Sequence, residues 1–359
     1  MEKLDNTMND LENAFKDLKE FLHRVRYETP REKTLSYVIL FAGLLIFPNF
    51  LGVYPVHVLN VALYYIAIVS TWNLLAGYTG IFSLAQAAMS ATGSYTTALL
   101  ARYYGIHPVM GIILGGFVAA LISYSIGTIT LGMRGIYLAL STWAFAGSAR
   151  LLISINYEIT RGDLGLPVNY LYGVIPGSAP MLYYYTTLAL TIVTLLAIYR
   201  IIHSRTGLFL QAIREDTIAA EVAGVDTVKY KKRIFILSGF IAGIFGAYYA
   251  HFIGVISPSL FKFGEMALII IMTIMGGYGT FVGPIIGATV IELLTEYLRE
   301  FEELRMVMYG VIVLIMMRTF RDGIWGILQD VRDRISGESK AKTVYEKHLE
   351  TEQFGGENG

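Results

Sequence analysis

Residues 205–233 read RTGLFLQAIREDTIAAEVAGVDTVKYKKR, the only long polar interruption in an otherwise hydrophobic body. Apolar segments long enough to cross a bilayer flank it on both sides. The run Thr217-Ile-Ala-Ala-Glu-Val-Ala223 is rich in good helix formers. Asp216 or Thr217 can accept bonds from the first free amides as an N-cap. Gly224 stands where a left-handed residue closes a helix. So short a helix is marginal without a surface to pack on, so its display between two spans predicts a docking partner.

Composition sets the class. Hydrophobic residues are 55% of 359 and charged residues 16%, with a mean hydropathy of +0.54. A soluble domain of this length could not bury so much apolar surface, and the long apolar runs predict an all-α integral membrane protein. Net charge is zero, which points to no nucleic-acid partner. There is no cysteine, which excludes disulfides, thiolate metal sites and cysteine nucleophiles. The polar N-terminus lacks the short apolar core of a cleavable signal.

Residues 1–34 carry a heptad stripe through Leu4, Met8, Leu11, Phe15, Leu18, Leu22 and Val25, and Pro30 ends it. Two readings stand: an amphipathic helix lying on the membrane or the protein body, or a coiled-coil contact. About ten spans follow, near 35–52, 56–77, 84–102, 109–131, 135–156, 181–202, 233–256, 265–279, 281–298 and 304–320. The eighth is short and runs into Gly276-Gly-Tyr-Gly279, the pattern of a broken or re-entrant helix. Basic clusters precede the first span, fill 205–233 and follow the last span. An even number of crossings, six and then four, separates them. Both termini and the polar stretch are therefore expected on the cytoplasmic side. The transmembrane domain is read as 35–320, and the charged tail 331–359 as disordered.

Motifs for chemistry are missing. The chain has no G-x-x-x-x-G-K-[ST] phosphate cradle, no H-E-x-x-H and no G-x-S-x-G, so no enzyme activity, cofactor or metal is expected. His251, inside the seventh span, reads as a neutral, hydrogen-bonded packing residue, with a proton relay as the alternative. Glu292 and Glu296 lie one turn apart, either a proton-coupling pair or a solvated interfacial face. No ionisable residue stands clearly at mid-membrane, so the energy source is expected on another protein.

Three blocks carry a resemblance. The first is Trp72-Asn-Leu-Leu-Ala-Gly-Tyr-Thr-Gly80 with Ser83-Leu-Ala-Gln-Ala-Ala88 and Gly93-Ser-Tyr95. The second is Leu131-Gly-Met-Arg-Gly-Ile-Tyr-Leu-Ala-Leu140 with Ala144-Phe-Ala146, leading to Thr160-Arg-Gly-Asp-Leu-Gly-Leu166. The third is 205–233, continuing through Ser257-Pro258 to Gly276-Gly-Tyr-Gly279 and Gly283-Pro284. Together, over roughly residues 60–290, they resemble the LivM-type permeases, the membrane subunits of branched-chain amino-acid ABC importers. One departure is Thr160-Arg161-Gly162, where the family pattern has T-G-G.

The resemblance implies a set of partners: a second, LivH-like permease subunit, two cytoplasmic ABC ATPase subunits and an external substrate-binding protein, all at the lipid bilayer of the cell membrane. It implies that Asp216, Thr217, Ala219, Ala220, Glu221 and Gly224 form a coupling loop seated on the ATPase. The external loop, with Gly162, Asp163 and Gly165, would receive the binding protein. Asn73 and Gln86 flank the break at Gly77-Tyr-Thr-Gly80, where they either line the translocation path or only satisfy exposed backbone. Urea or short amides are alternative cargo, and a secondary transporter or channel is the alternative class.

Overall fold

The computed structural model describes residues 43–133, 135–298, 307, 308, 310 and 323–336. Contacts divide the chain into two units at Gly52. The first is described only over residues 43–52, which are helical at 43–46 and then form a tight 3-10 turn, Phe47–Phe50. The heptad stripe, nearly all of the last expected span and the chain beyond 336 lie outside the described residues.

The second unit is helical. Its long helices are α1 (Val53–Thr79), α2 (Gln86–Tyr104), α3 (Pro108–Thr130), α4 (Ile136–Ile155) and α5 (Pro180–Ile202). The polar stretch folds as α6 (Arg205–Glu215) and α7 (Thr217–Val222), followed by α8 (Thr227–Ile253). Then come α9 (Phe263–Gly277), α10 (Gly283–Tyr297) and α11 (Gly323–Ser336). Local chemistry explains several boundaries. Prolines open α3, α5 and α10, where a missing amide costs nothing. Left-handed Gly105 and Gly254 close α2 and α8.

Among the described residues five helices, α1, α3, α4, α5 and α8, are long and apolar enough to cross a membrane. The 27 residues of α1 or α8 span about 40 Å, more than a bilayer's hydrocarbon core. Where a broken or re-entrant eighth span was expected, α9 is unbroken. It and α10 have 15 residues each, about 22 Å, and form a hairpin turning at residues 278–282. The tail expected to be disordered from 331 begins instead as the last turns of α11, which packs against α9 and α10.

Helices α1 and α8 form the centre. Within their apolar windows 78% and 72% of residues are buried, against 33%, 22% and 28% in α3, α4 and α5, which leave apolar faces outward. Without a hydrophobic force between helices in lipid, close approach must supply the packing energy, and small residues permit it. A side chain at Gly243 would strike Gly115 and Gly116 of α3, and one at Gly246 would strike the Ser90 carbonyl of α2. The hydroxyl of Ser94 donates to the Gly246 carbonyl across the same seam at 2.7 Å. Helix α2, rich in Ala, Ser and Thr, is thereby held in the interior despite its polarity.

Candidate functional site

The polar stretch is two helices rather than one. Ser204 caps α6, accepting from the Thr206 amide. Asp216, not Thr217, caps α7; its carboxylate accepts from the amides of Ile218 at 2.8 Å and Ala219 at 3.1 Å. Thr217 donates back to the Ile213 carbonyl. At the other end Val225 N donates to the Ala220 carbonyl and Gly224 N to that of Glu221, with Gly224 at φ +86. That is a Schellman closure.

Of the expected contact residues Ala220 alone is buried; Asp216, Ala219, Glu221 and Gly224 are exposed and Thr217 is half-buried. Ala220 is 4% exposed and turned into the loop, and Glu221 accepts a 2.6 Å bond from the Thr227 hydroxyl. Ala219 stays exposed. The outward face belongs to Ile218 and Val222, one turn apart and 57% and 85% exposed. The two form an exposed aliphatic pair on an otherwise polar loop.

One residue joins this loop to the helices beneath it. Arg214, at the end of α6, donates to the Gly77 carbonyl at 2.6 Å and lies 5.7 Å from the Tyr278 ring centre. Asn73 completes the joint: its amide donates to the Thr280 carbonyl and its oxygen accepts from Gly279 N, both at 2.8 Å. Asn73 thus fastens the α9–α10 turn to α1, with both ends of its side chain engaged.

At the opposite end, Gly162, Asp163 and Gly165 lead into a short antiparallel ladder pairing β1 (Leu166–Pro167) with β2 (Val255–Ile256). Gly162 and Gly165 are buried and left-handed and shape the turn, whereas Asp163 faces out. Arg161 is the one described non-glycine residue with positive φ, +60, the conformation a glycine takes without strain. His251 anchors this loop to the core, its ring nitrogens 2.7 Å from the Thr97 hydroxyl and 2.6 Å from the Asn169 carbonyl.

Gln86 opens α2 in the interior. Its oxygen accepts from Ser238 of α8 at 2.9 Å, while its nitrogen has no partner. Nearby, Tyr65 of α1 donates to Glu265 of α9 at 3.4 Å, and Tyr64 stacks on Tyr249 with ring centres 4.5 Å apart. Glu292, for which the sequence allowed a proton-coupling pair or a solvated face, is 6% exposed. Its helix, α10, packs on α1, and its carboxyl lies within electrostatic reach of Tyr65 and Tyr249. Among the described residues, no group of three or more His, Cys, Asp or Glu could hold a metal ion.

Residues 54–317, from the start of α1 to beyond α10, match the family described as branched-chain amino acid transport system / permease component. The chain belongs to that family. This permease is 29% identical over 318 residues to the high-affinity branched-chain amino acid transport system permease protein LivM of Salmonella typhimurium, covering 80% of the chain and 73% of the relative. It is also 29% identical to LivM of Escherichia coli, over 73% of the chain and 68% of the relative. A more distant relative is the fructose import permease protein FrcC of Rhizobium meliloti, 24% identical over 79% of the chain and 81% of the relative. No solved structure matches the chain. The permease is a multi-pass membrane transport protein, and its homologues are transport components rather than enzymes.

Several residues of the permease's two candidate regions escaped sequence reasoning. Arg214 looked like one more charge in a basic stretch, and nothing local marks its reach to Gly77 or Tyr278. Glu265 left a signal, an acid at the mouth of an apolar run, but the weakness of that span obscured it. Tyr64, Tyr65 and Tyr249 left none beyond their type.

Proposed function

We propose that this permease is the membrane subunit of an ATP-driven ABC importer for branched-chain or related amino acids. An external binding protein would deliver the cargo, two ATPase subunits would dock at the cytoplasmic face, and a second related permease would complete the pore. One observation carries the reading. A capped helix, α7, presents Ile218 and Val222 outward while Arg214 ties the same loop to α1 and the α9–α10 turn. Force applied to α7 would therefore reach two membrane elements through one guanidinium, a route for toggling the path. Ten crossings with both termini cytoplasmic fit the basic clusters. The loop carrying Gly162, Asp163 and Gly165 then faces the binding protein.

The test is co-purification of this chain with an ATPase whose hydrolysis it stimulates, followed by uptake of labelled leucine into vesicles carrying the complex. Isoleucine should compete and glutamate and urea should not. Uptake without any ATPase would move the protein to the secondary-transporter class. The likeness to a fructose permease makes a sugar the second reading of the cargo, and competition by fructose but not isoleucine would establish it.

A further inference from the structure

Helices α3 and α8 pack antiparallel: a side chain at Gly127 would meet Phe235, and one at Gly116 would meet Phe240. One edge of their seam opens outward and is apolar. Phe117 and Leu121 of α3 are 60% and 65% exposed, and the Phe117 ring meets that of Phe240 edge-on, with centres 5.2 Å apart. On α8, Lys232, Ile236 and Phe240 follow at intervals of four and share one face. The matching row on α3 is Phe117, Leu121 and Tyr124. Toward the polar loop the seam ends in Lys232, whose ammonium lies 5.3 Å from the centre of the Tyr124 ring.

The charges at this end are unanswered. Lys232 is half-buried, and Lys229, one turn earlier on the same side, is exposed. Among the described residues neither ammonium is paired with a carboxylate. The Asp226 carboxylate caps α8, accepting from the Lys229 amide at 3.0 Å. Lys231 differs, since its ammonium turns back to the Thr217 hydroxyl at 3.3 Å. The 27 residues of α8 span about 40 Å, roughly 10 Å more than a hydrocarbon core. Lys229 and Lys232 stand in its first two turns, within that excess, at the level of lipid headgroups. Cations there attract anionic headgroups. A soluble partner could reach the two ammonium groups but not the apolar seam running below them into the membrane; an acyl chain reaches both ends.

We propose that the α3–α8 seam is a binding site for an anionic phospholipid. The lipid phosphate lies between Lys229 and Lys232, with the Tyr124 hydroxyl as a further donor. One acyl chain runs along Phe117, Leu121, Ile236 and Phe240. The lipid thus bridges two membrane helices at the root of the polar loop. The site is independent of the cargo and requires only that this end of α8 meet a bilayer surface.

Native mass spectrometry of the full-length permease, released from nanodiscs of equimolar phosphatidylglycerol and phosphatidylcholine, tests the site. Wild type should retain phosphatidylglycerol at least fivefold over phosphatidylcholine. The double variant Lys229→Gln, Lys232→Gln should lower that ratio at least threefold. Lys229→Gln alone, at an exposed position with no packing to lose, should lower it at least twofold. Lys232→Arg keeps the charge and should stay near wild type, as should Arg200→Ala, which removes a cation at the end of α5. Equal retention of the two lipids by wild type would overturn the site, and so would a ratio unmoved by Lys229→Gln and by the double variant. An equal fall in Arg200→Ala would also overturn it, since any surface cation would then serve. Displacement of the lipid by millimolar inorganic phosphate would assign the lysines to a free anion instead. An unchanged lipid ratio with lost ATPase co-purification in the double variant would assign them to the ATPase.

Discussion

Arg214 donates a 2.6 Å hydrogen bond to the carbonyl of Gly77, 137 residues away, and so closes the last turn of α1 with a charge from the polar loop. The end of a helix concentrates unpaired carbonyls and negative potential, and a guanidinium satisfies both. The same cation faces the ring of Tyr278, whose hydroxyl donates to the Ala76 carbonyl at 2.5 Å. Three elements meet there: α1, α6 and the α9–α10 turn.

Removing that cation should uncouple the machine rather than dismantle it. A hydrogen bond to a charged group contributes about 1.5–3 kcal/mol, so Arg214→Ala should lower leucine imported per ATP hydrolysed at least tenfold, with the complex still assembled. Arg214→Lys keeps the charge without the planar fork and should fall between. An unchanged transport-to-hydrolysis ratio in the alanine variant would refute this transmission role.

The outward face of α7 should govern assembly. Ile218→Asp and Val222→Asp put charge on the exposed pair without touching the loop's interior, and should reduce ATPase co-purification tenfold or more at unchanged permease yield. Ala220→Arg acts differently. Its site is buried, so it should lower permease yield itself. Equal recovery of the ATPase with both aspartate variants would place the docking face elsewhere.

Arg161 pays for its position in backbone strain. A non-glycine residue in the left-handed region costs roughly 1–2 kcal/mol, part of which glycine would return as chain entropy. Arg161→Gly should therefore raise stability by about 1 kcal/mol, read as a higher midpoint of thermal unfolding in detergent. A lower midpoint would mean that the arginine side chain contributes more than its backbone costs.

His251 holds the far loop to the core through two short bonds. His251→Ala leaves the Thr97 hydroxyl and the Asn169 carbonyl without their ring partner, a loss of about 1–3 kcal/mol. Thermal unfolding should move down accordingly, and protease sensitivity near residues 161–173 should increase. An unshifted midpoint would show that solvent replaces the imidazole at no cost.

Much of the fold was legible from residues 53–297. Long apolar runs placed the long helices, because a bilayer demands continuous hydrogen-bonded segments. Asp216 and Gly224 announced both ends of α7, because caps act on amides and carbonyls a few residues away. Contact direction was less legible. Ala220 and Val222 are both small or aliphatic, and only the packing of α7 against its own loop turned one inward and left the other bare. The hydrophobic pattern of a six-residue helix is too short to fix that orientation.

The sequence by itself determined that this is a helical membrane transport component with a capped helix in its one polar loop, since hydropathy, cap chemistry and family motifs are local properties of the chain. Only the tertiary structure decided that Arg214 reaches Gly77, that Asn73 is spent on the α9–α10 turn, and that Glu265 and Glu292 come into the field of the same tyrosines. Those meetings join residues far apart in the chain, 207 positions for Asn73 and Thr280. They depend on which helices pack together, and close packing is settled by complementary small residues such as Gly243 and Gly246, whose effect no window along the chain contains.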